Sequence, residues 1–283
     1  MDQCPEPVAC SSAARTYRAI FFDLDGTLLP MELDDFLGPY FKSITSFVAA
    51  QGLDVNAFST ALKAGIEAMV SHEDGSTNYD AYWKAFFDHT DRTAATWDDL
   101  ITGYYEHEFN LVGKNVSPNP SASCAIETLA AKGYTLVLTT MPMFPRRAVE
   151  HRLAWAGIDP ARFARMTSYE NSTSVKPKLA YYAENLAACG LAGEEVLMVG
   201  NNTVEDLAIA TLGADAYLVT DHLLDPVDFD LSTVKHGSME EFAAWAEALP
   251  ECENPASCLG SGVADRAATA AVLAAHDANG TEA

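Results

Sequence analysis

Arg18-Ala19-Ile20-Phe21-Phe22-Asp23-Leu24-Asp25-Gly26-Thr27-Leu28 is an apolar run that breaks into a doubly acidic turn. Apolar on both faces, the run suits a strand buried inside a parallel sheet. Ligands of such sheets bind beyond the carboxyl ends of the strands, where loops and helix N-termini converge. Two carboxylates at i and i+2 on a glycine-containing turn can face one cleft, one as nucleophile and the other as general acid and base. Asp-Gly is also an ordinary turn dipeptide. A calcium loop starts similarly, but its third acidic ligand and distal glutamate are missing here.

Outward from this stretch, residues 134–139, 195–200 and 216–220 are further short apolar runs that alternate with helical segments. Gly133, Gly157, Gly190 and Gly213 each follow an apolar-periodic stretch and read as helix stops. Strands and helices alternating through short joints predict an α/β fold with a mostly parallel central sheet. Residues 31–114 interrupt that rhythm. Leu37, Tyr40, Phe41, Ile44 and Val48 recur at helical spacing, as do Tyr79, Tyr82, Trp83, Phe86 and Phe87, and again Trp97, Leu100, Ile101, Tyr104 and Tyr105. These stripes predict an all-helical insertion with its own core, from which a few aromatics can line a substrate pocket.

The expected division is a flexible tail at residues 1–17, a core formed by 18–30 and 115–250, the helical insertion at 31–114, and a second tail at 251–283. Asn254, Pro255, Gly260 and Gly262 suggest a linker, and the alanine-rich stretch 267–275 lacks large apolar residues to dock with. Both ends are therefore expected to be loosely held.

Seventeen Lys and Arg against forty Asp and Glu leave a net charge of −23 on 283 residues. Such a surface repels phosphate backbones and anionic lipid, which disfavours nucleic-acid and membrane partners. An anionic small substrate must then be drawn in by a local cation or a bound metal. No apolar run approaches the ~18 residues of a membrane span, and residues 1–17 contain no apolar segment, so a cytoplasmic protein is expected. Cys4, Cys10, Cys124, Cys189, Cys252 and Cys258 are too few and scattered for a disulfide scaffold. Reduced thiols with no metal role are the expectation.

The chemistry-bearing residues fall in order along the chain. Thr140 closes the second apolar run ahead of Met141-Pro142, Lys176-Pro177 opens a later helix, and Gly200-Asn201-Asn202-Thr203-Val204-Glu205-Asp206 follows another apolar run. Thr139 competes with Thr140, but the Thr-Met-Pro order favours Thr140. Together with Asp23-Leu24-Asp25-Gly26-Thr27, these elements resemble the haloacid dehalogenase-like hydrolase superfamily over residues 18–249. Its signature is Asp-x-Asp-Gly-Thr, a Thr or Ser after an apolar strand, a Lys, and an acidic motif after another apolar strand. The helical insertion resembles the cap that these enzymes place after the first motif.

The resemblance implies a Rossmann-like core with an all-helical cap, and a magnesium-dependent phosphatase acting on a small phosphorylated metabolite. It implies that Asp23 attacks phosphorus to give an aspartyl-phosphate, while Asp25 protonates the leaving alcohol and then takes a proton from water. Thr140, Met141 and the backbone N–H groups near Leu24 and Asp25 would hold the phosphoryl oxygens, and Lys176 would neutralise charge. Magnesium is implied at Asp23, the Asp25 carbonyl, Asn202 and Asp206. Where the family expects an acidic residue four positions before another, this chain carries Asn202 ahead of Asp206. Asparagine keeps a carbonyl oxygen but loses a full negative charge, so magnesium binding weakens unless Asp206 or Glu205 compensates. Asp206 also suits the first turn of a helix capped by Thr203.

Other activities stay open at this point. Dehalogenases of this kind lack the second acid of the first motif and need no metal, whereas Asp25 is present here. A phosphonatase needs a Schiff-base lysine from the cap, where Lys42, Lys63 and Lys84 lie. Phosphomutases share these motifs, and a binding or regulatory protein on a weakened hydrolase fold would carry Asn202 as its symptom. Arg146 and Arg147 either reach a second anionic group or lie exposed in the first turns of a helix.

Overall fold

The computed structural model describes residues 15–90 and 93–280. The tail expectation for residues 1–14, with Cys4 and Cys10, lies outside the described residues. β1 (Ala19–Phe22) is an inner strand of a six-stranded parallel sheet with β2 (Thr135–Leu138), β3 (Arg165–Met166), β4 (Val196–Gly200), β5 (Asp215–Val219) and β6 (Lys235–Gly237). The spatial order is β3-β2-β1-β4-β5-β6, so the connections diverge to opposite sides from the β1–β4 pair, the position where open sheets form a ligand crevice. Register places Phe22 opposite both Leu138 and Val199. The residues that follow β1, β2 and β4 therefore emerge side by side. β3 and β6 were not expected: they are two and three residues long, and Arg165, Lys235 and His236 break any apolar run.

Between β1 and β2 the chain is helical: α1 (Leu33–Ala50), α2 (Val55–Ser71), α3 (Asn78–Phe87) and α4 (Ala94–Gly103), followed by a π-helical turn (Tyr104–Glu108). Asp54 caps α2 by accepting from the N–H groups of Asn56 and Ala57. Thr77 and Asp80 form a reciprocal capping box on α3. The predicted stripes face inward at Tyr40, Ile44 and Val48, at Tyr82, Trp83 and Phe86, and at Trp97, Ile101, Tyr104 and Tyr105. Phe41 is the exception, at 39% exposed. α2 and α3 pack closely because Gly65 meets the Tyr82 ring, where a Cβ would fall 2.4 Å from a ring carbon.

The rest of the core is layered on the sheet. Ile20 and Phe22 share an apolar cluster with α5 (Pro120–Ala131), α6 (Arg146–Trp155) and the helical insertion, whereas Ala19 and Phe21 face the other side, against α7 (Leu179–Ala188). Each fully buried phenylalanine of β1 contributes about 1.5–3 kcal/mol of transfer free energy. α8 (Met239–Ala248) lies against α5, and α9 (Arg266–Gly280) against α7. Gly133, Gly157, Gly190 and Gly213 all have positive φ, between 59° and 94°, as their reading as stops requires. Among the described residues, no helix is long and apolar enough to cross a membrane.

The C-terminal segment departs from expectation. Cys252 N–H donates to Lys132 O at 2.8 Å, Leu259 N–H donates to Ala188 O at 2.9 Å, and the Arg165 guanidinium donates to the carbonyls of Gly260 and Gly262. Val272 and Leu273 of α9 pack against the α7 cluster, so two aliphatic side chains suffice where none was counted as a docking residue. Cys189 and Cys258 form a disulfide across 69 residues of sequence, correcting the expectation of reduced thiols throughout. Only the return of this segment to α7 brings them together. A disulfide and a cytoplasmic location pull in opposite directions. Cys124 and Cys252 are free thiols.

Candidate active site

The first motif continues β1 into a tight turn. Asp23 N–H still donates to Val199 O at 2.9 Å, and Leu24 O accepts from the N–H groups of Thr27 and Leu29. Gly26 sits at φ +79°, and a Cβ there would lie 2.2 Å from the Asn201 amide nitrogen. Both conditions demand glycine. This turn places Asp23 and Asp25 on the wall of one cavity, together with Thr140, Met141, Asn201, Asn202, Glu205 and Asp206.

Lys176, whose side chain is fully buried, reaches across from the loop before α7. Its Nζ donates to Asp23 Oδ1 at 2.7 Å and to Asp206 Oδ1 at 2.6 Å. Burial works against the ammonium charge, but Asp206 and Asp23 hold its pKa well above the ordinary lysine range. The other Asp206 oxygen accepts from the N–H groups of Asn201 and Asn202, each at 2.9 Å. Burial pushes the Asp23 carboxyl up to about 7; Lys176 opposes that rise, and the carboxylates of Asp206 and Asp25 add to it.

Thr140 is fully buried and its Oγ1 has no hydrogen-bond partner, although it lines the cavity. A buried hydroxyl left open in this way suits a phosphoryl oxygen. Thr139 is spent on the sheet, donating to Phe22 O at 3.2 Å. Leu24 is buried with its carbonyl engaged in the turn, and its backbone adjoins the two acids.

Arg152, on α6, was not among the sequence candidates. Its Nη1 donates to Asp25 Oδ2, while its Nε and Nη2, and Asp25 Oδ1, are buried without partners. The guanidinium lies 4.8 Å from the centre of the Phe144 ring. A signal existed: Arg152 shares a helical stripe with Ala148, Val149 and Ala156, all fully buried. Arg146 and Arg147 instead pair with Glu150 and Glu106 on the exposed side of α6.

The cleft's charge and oxygen donors bear on a divalent cation. Four carboxyl groups (Asp23, Asp25, Glu205 and Asp206) stand against the two cations Lys176 and Arg152. That buried excess of negative charge fits a divalent ion. Asp23 Oδ2 is bonded only by the Thr27 hydroxyl, at 3.4 Å, and so remains available. The distal donors are engaged elsewhere. Asn202 Oδ1 accepts from the N–H groups of Val204 at 3.0 Å and Glu205 at 3.1 Å, and both Asp206 oxygens are taken. Among the described residues no group of three or more His, Cys, Asp or Glu is arranged to hold a metal. The side-chain oxygens left open are thus Asp23 Oδ2 and Asp25 Oδ1, which fit a weak site.

Residues 17–213 match the family described as haloacid dehalogenase-like hydrolase. No curated protein matches the chain. Among solved structures, a HAD phosphatase from Thermococcus onnurineus is 16% identical with a TM-score of 0.50, covering 83% of this chain and 99% of that one. A predicted phosphoglycolate phosphatase from Haemophilus somnus 129PT is 19% identical with a TM-score of 0.48, covering 81% and 97%. An L-2-haloacid dehalogenase from Xanthobacter autotrophicus is 16% identical with a TM-score of 0.45, covering 81% and 88%. At such identities the likeness is one of fold.

Proposed function

Because the chain belongs to the haloacid dehalogenase-like hydrolases, we propose that it is a phosphatase that cleaves a small phosphomonoester through an aspartyl-phosphate on Asp23. The observation that carries this reading is the convergence of three groups in one cavity: Asp23 held by Lys176, the unpartnered Thr140 hydroxyl, and a second acid, Asp25, two residues further along the same turn. Two carboxyl groups brought to one cleft can divide the roles of nucleophile and acid/base.

In the first step an Asp23 oxygen bonds to phosphorus as the bond to the leaving oxygen breaks, and Asp25 gives that oxygen a proton. In the second, Asp25 takes a proton from water as the water oxygen bonds to phosphorus and the Asp23–phosphorus bond breaks. The Thr140 hydroxyl and the N–H groups beside Leu24, Asp25 and Met141 hold the phosphoryl oxygens, and Lys176 balances their charge. Asp23 and the Asp25 carbonyl would hold a magnesium ion, with Asn202 or Asp206 contributing on release from their present partners, and its positive charge would offset the phosphate.

Asp25 distinguishes this reading from dehalogenation. The phosphonatase reading lacks support because Lys42, Lys63 and Lys84 do not line the cavity. The test is hydrolysis of p-nitrophenyl phosphate with magnesium by the parent and by Asp23→Asn. The reading expects activity that EDTA removes and that the variant loses at least about a thousandfold. Equal activity in both would refute the nucleophile. Absence in both would favour a binding protein on this fold.

A further inference from the structure

The cavity above Asp23 and Asp25 has a volume of about 340 Å³, at the small end of the roughly 300–1,000 Å³ of small-molecule sites. Its polar groups are gathered on the floor, at the strand ends. Its walls are apolar: Leu37 and Ile44 from α1, Leu62 and Met69 from α2, Ile101 from α4, and Phe144 from the loop before α6. Of the four tyrosines on the wall, Tyr40 and Tyr105 bond each other at 2.8 Å and so have little to offer a ligand, which leaves the hydroxyls of Tyr82 and Tyr169 as the polar groups of an otherwise apolar wall. Among the described residues lining the cavity, Arg152 is the only cation, and its charge is matched by Asp25.

These walls must hold the leaving group, since the floor holds the phosphate. Resting on the phosphatase reading, we propose that the leaving group is a small, uncharged, hydrophobic alcohol rather than a sugar, a polyol or a second anion. The several hydroxyl groups of a sugar or polyol seated among these side chains would exchange their hydrogen bonds with water for at most those of Tyr82 and Tyr169, whereas methylene groups gain by leaving water. A second carboxylate or phosphate would find four acidic groups and no unmatched cation. The open Nε and Nη2 of Arg152 belong to the guanidinium that holds Asp25, so they would serve the phosphate end of a bound ester.

The test compares kcat/KM of the full chain with magnesium for hexyl and benzyl phosphate against glycerol 3-phosphate, glucose 6-phosphate and 2-phosphoglycolate. All are esters of primary alcohols, which keeps their intrinsic leaving abilities close. Expected is a preference of about tenfold or more for the two apolar esters. Leu37→Asn, at a half-buried wall position, should lower the ratio of hexyl to glycerol ester about fivefold, with a melting curve to show that it is folded. Equal or better turnover of glycerol 3-phosphate, glucose 6-phosphate or 2-phosphoglycolate overturns the proposal, as does a ratio that the folded variant leaves unchanged. Acetyl phosphate, with its minimal leaving group, separates the chemistry at phosphorus from the choice of leaving group. If the parent hydrolyses it and Asp23→Asn does not, the chemistry stands whatever the ester panel shows. If parent and variant do not differ, the phosphatase reading fails and this proposal falls with it.

Discussion

Arg152 donates to Asp25 from a position only 1% exposed, and the carboxylate it holds is the second acid of the first motif. α6 thus fixes the orientation of a group on a turn more than a hundred residues earlier in the chain. Breaking such a pair from one side leaves a charge without its partner, which costs more than removing both.

Arg152→Met and Asp25→Asn are each expected to destabilise the fold, and the double variant to lose less than their sum, with a coupling of about 0.5–3 kcal/mol. Urea unfolding of the four proteins measures it. Strictly additive losses would show that the pair is not coupled.

Asn202→Asp adds a full negative charge near the oxygens that suit a cation, at the cost of a side chain that now caps the Val204 and Glu205 N–H groups. A carboxylate can accept both bonds and still face the cleft. The magnesium concentration for half-maximal activity should fall on the order of tenfold, about 1.4 kcal/mol. Calorimetric titration of magnesium checks the same shift without turnover, and an unchanged or higher requirement counts against this placement.

Much of this site is legible in the sequence because strand ends are. The apolar runs place Asp23, Thr140 and the Asn202–Asp206 segment at three neighbouring carboxyl ends, and parallel pairing brings them together without side-chain detail. Lys176 is legible only through its place in the ordered set, since a lysine before proline is otherwise a surface residue. Arg152 is legible only as a member of the stripe it shares with Ala148, Val149 and Ala156, because charge argues for exposure and its burial depends on a carboxylate distant in sequence. The docked C-terminal segment is hidden for a related reason. Its contacts are backbone hydrogen bonds, carbonyls meeting Arg165, one disulfide and two aliphatic side chains of α9, Val272 and Leu273, which leave little apolar period to read.

Glu184 gives a pH signature away from the cleft. Burial raises its carboxyl to about 7, partly offset by bonds from the Thr173 N–H and hydroxyl, at 3.0 and 2.6 Å. A carboxyl with a raised folded pKa favours the folded state below its unfolded value of 4.5 and loses that advantage as pH rises through about 7. The loss is on the order of 2–3 kcal/mol. Parent and Glu184→Gln, unfolded in urea from pH 4.5 to 8, should differ by that slope; parallel curves would contradict it.

The Cys189–Cys258 bond closes a loop of 69 residues and should stabilise by about 2–4 kcal/mol. Cys258→Ser is expected to lower the melting temperature under non-reducing conditions and to match the parent in dithiothreitol. Identical melting without reductant would show that the bond contributes nothing.

Acid-quenched rapid mixing with p-nitrophenyl phosphate tests whether Asp23 carries the phosphoryl group. Peptide mass spectrometry within the first turnover should find phosphate on Asp23. Phosphate on another residue, or first-turnover release of p-nitrophenol with none on Asp23, would rule out Asp23 as the nucleophile.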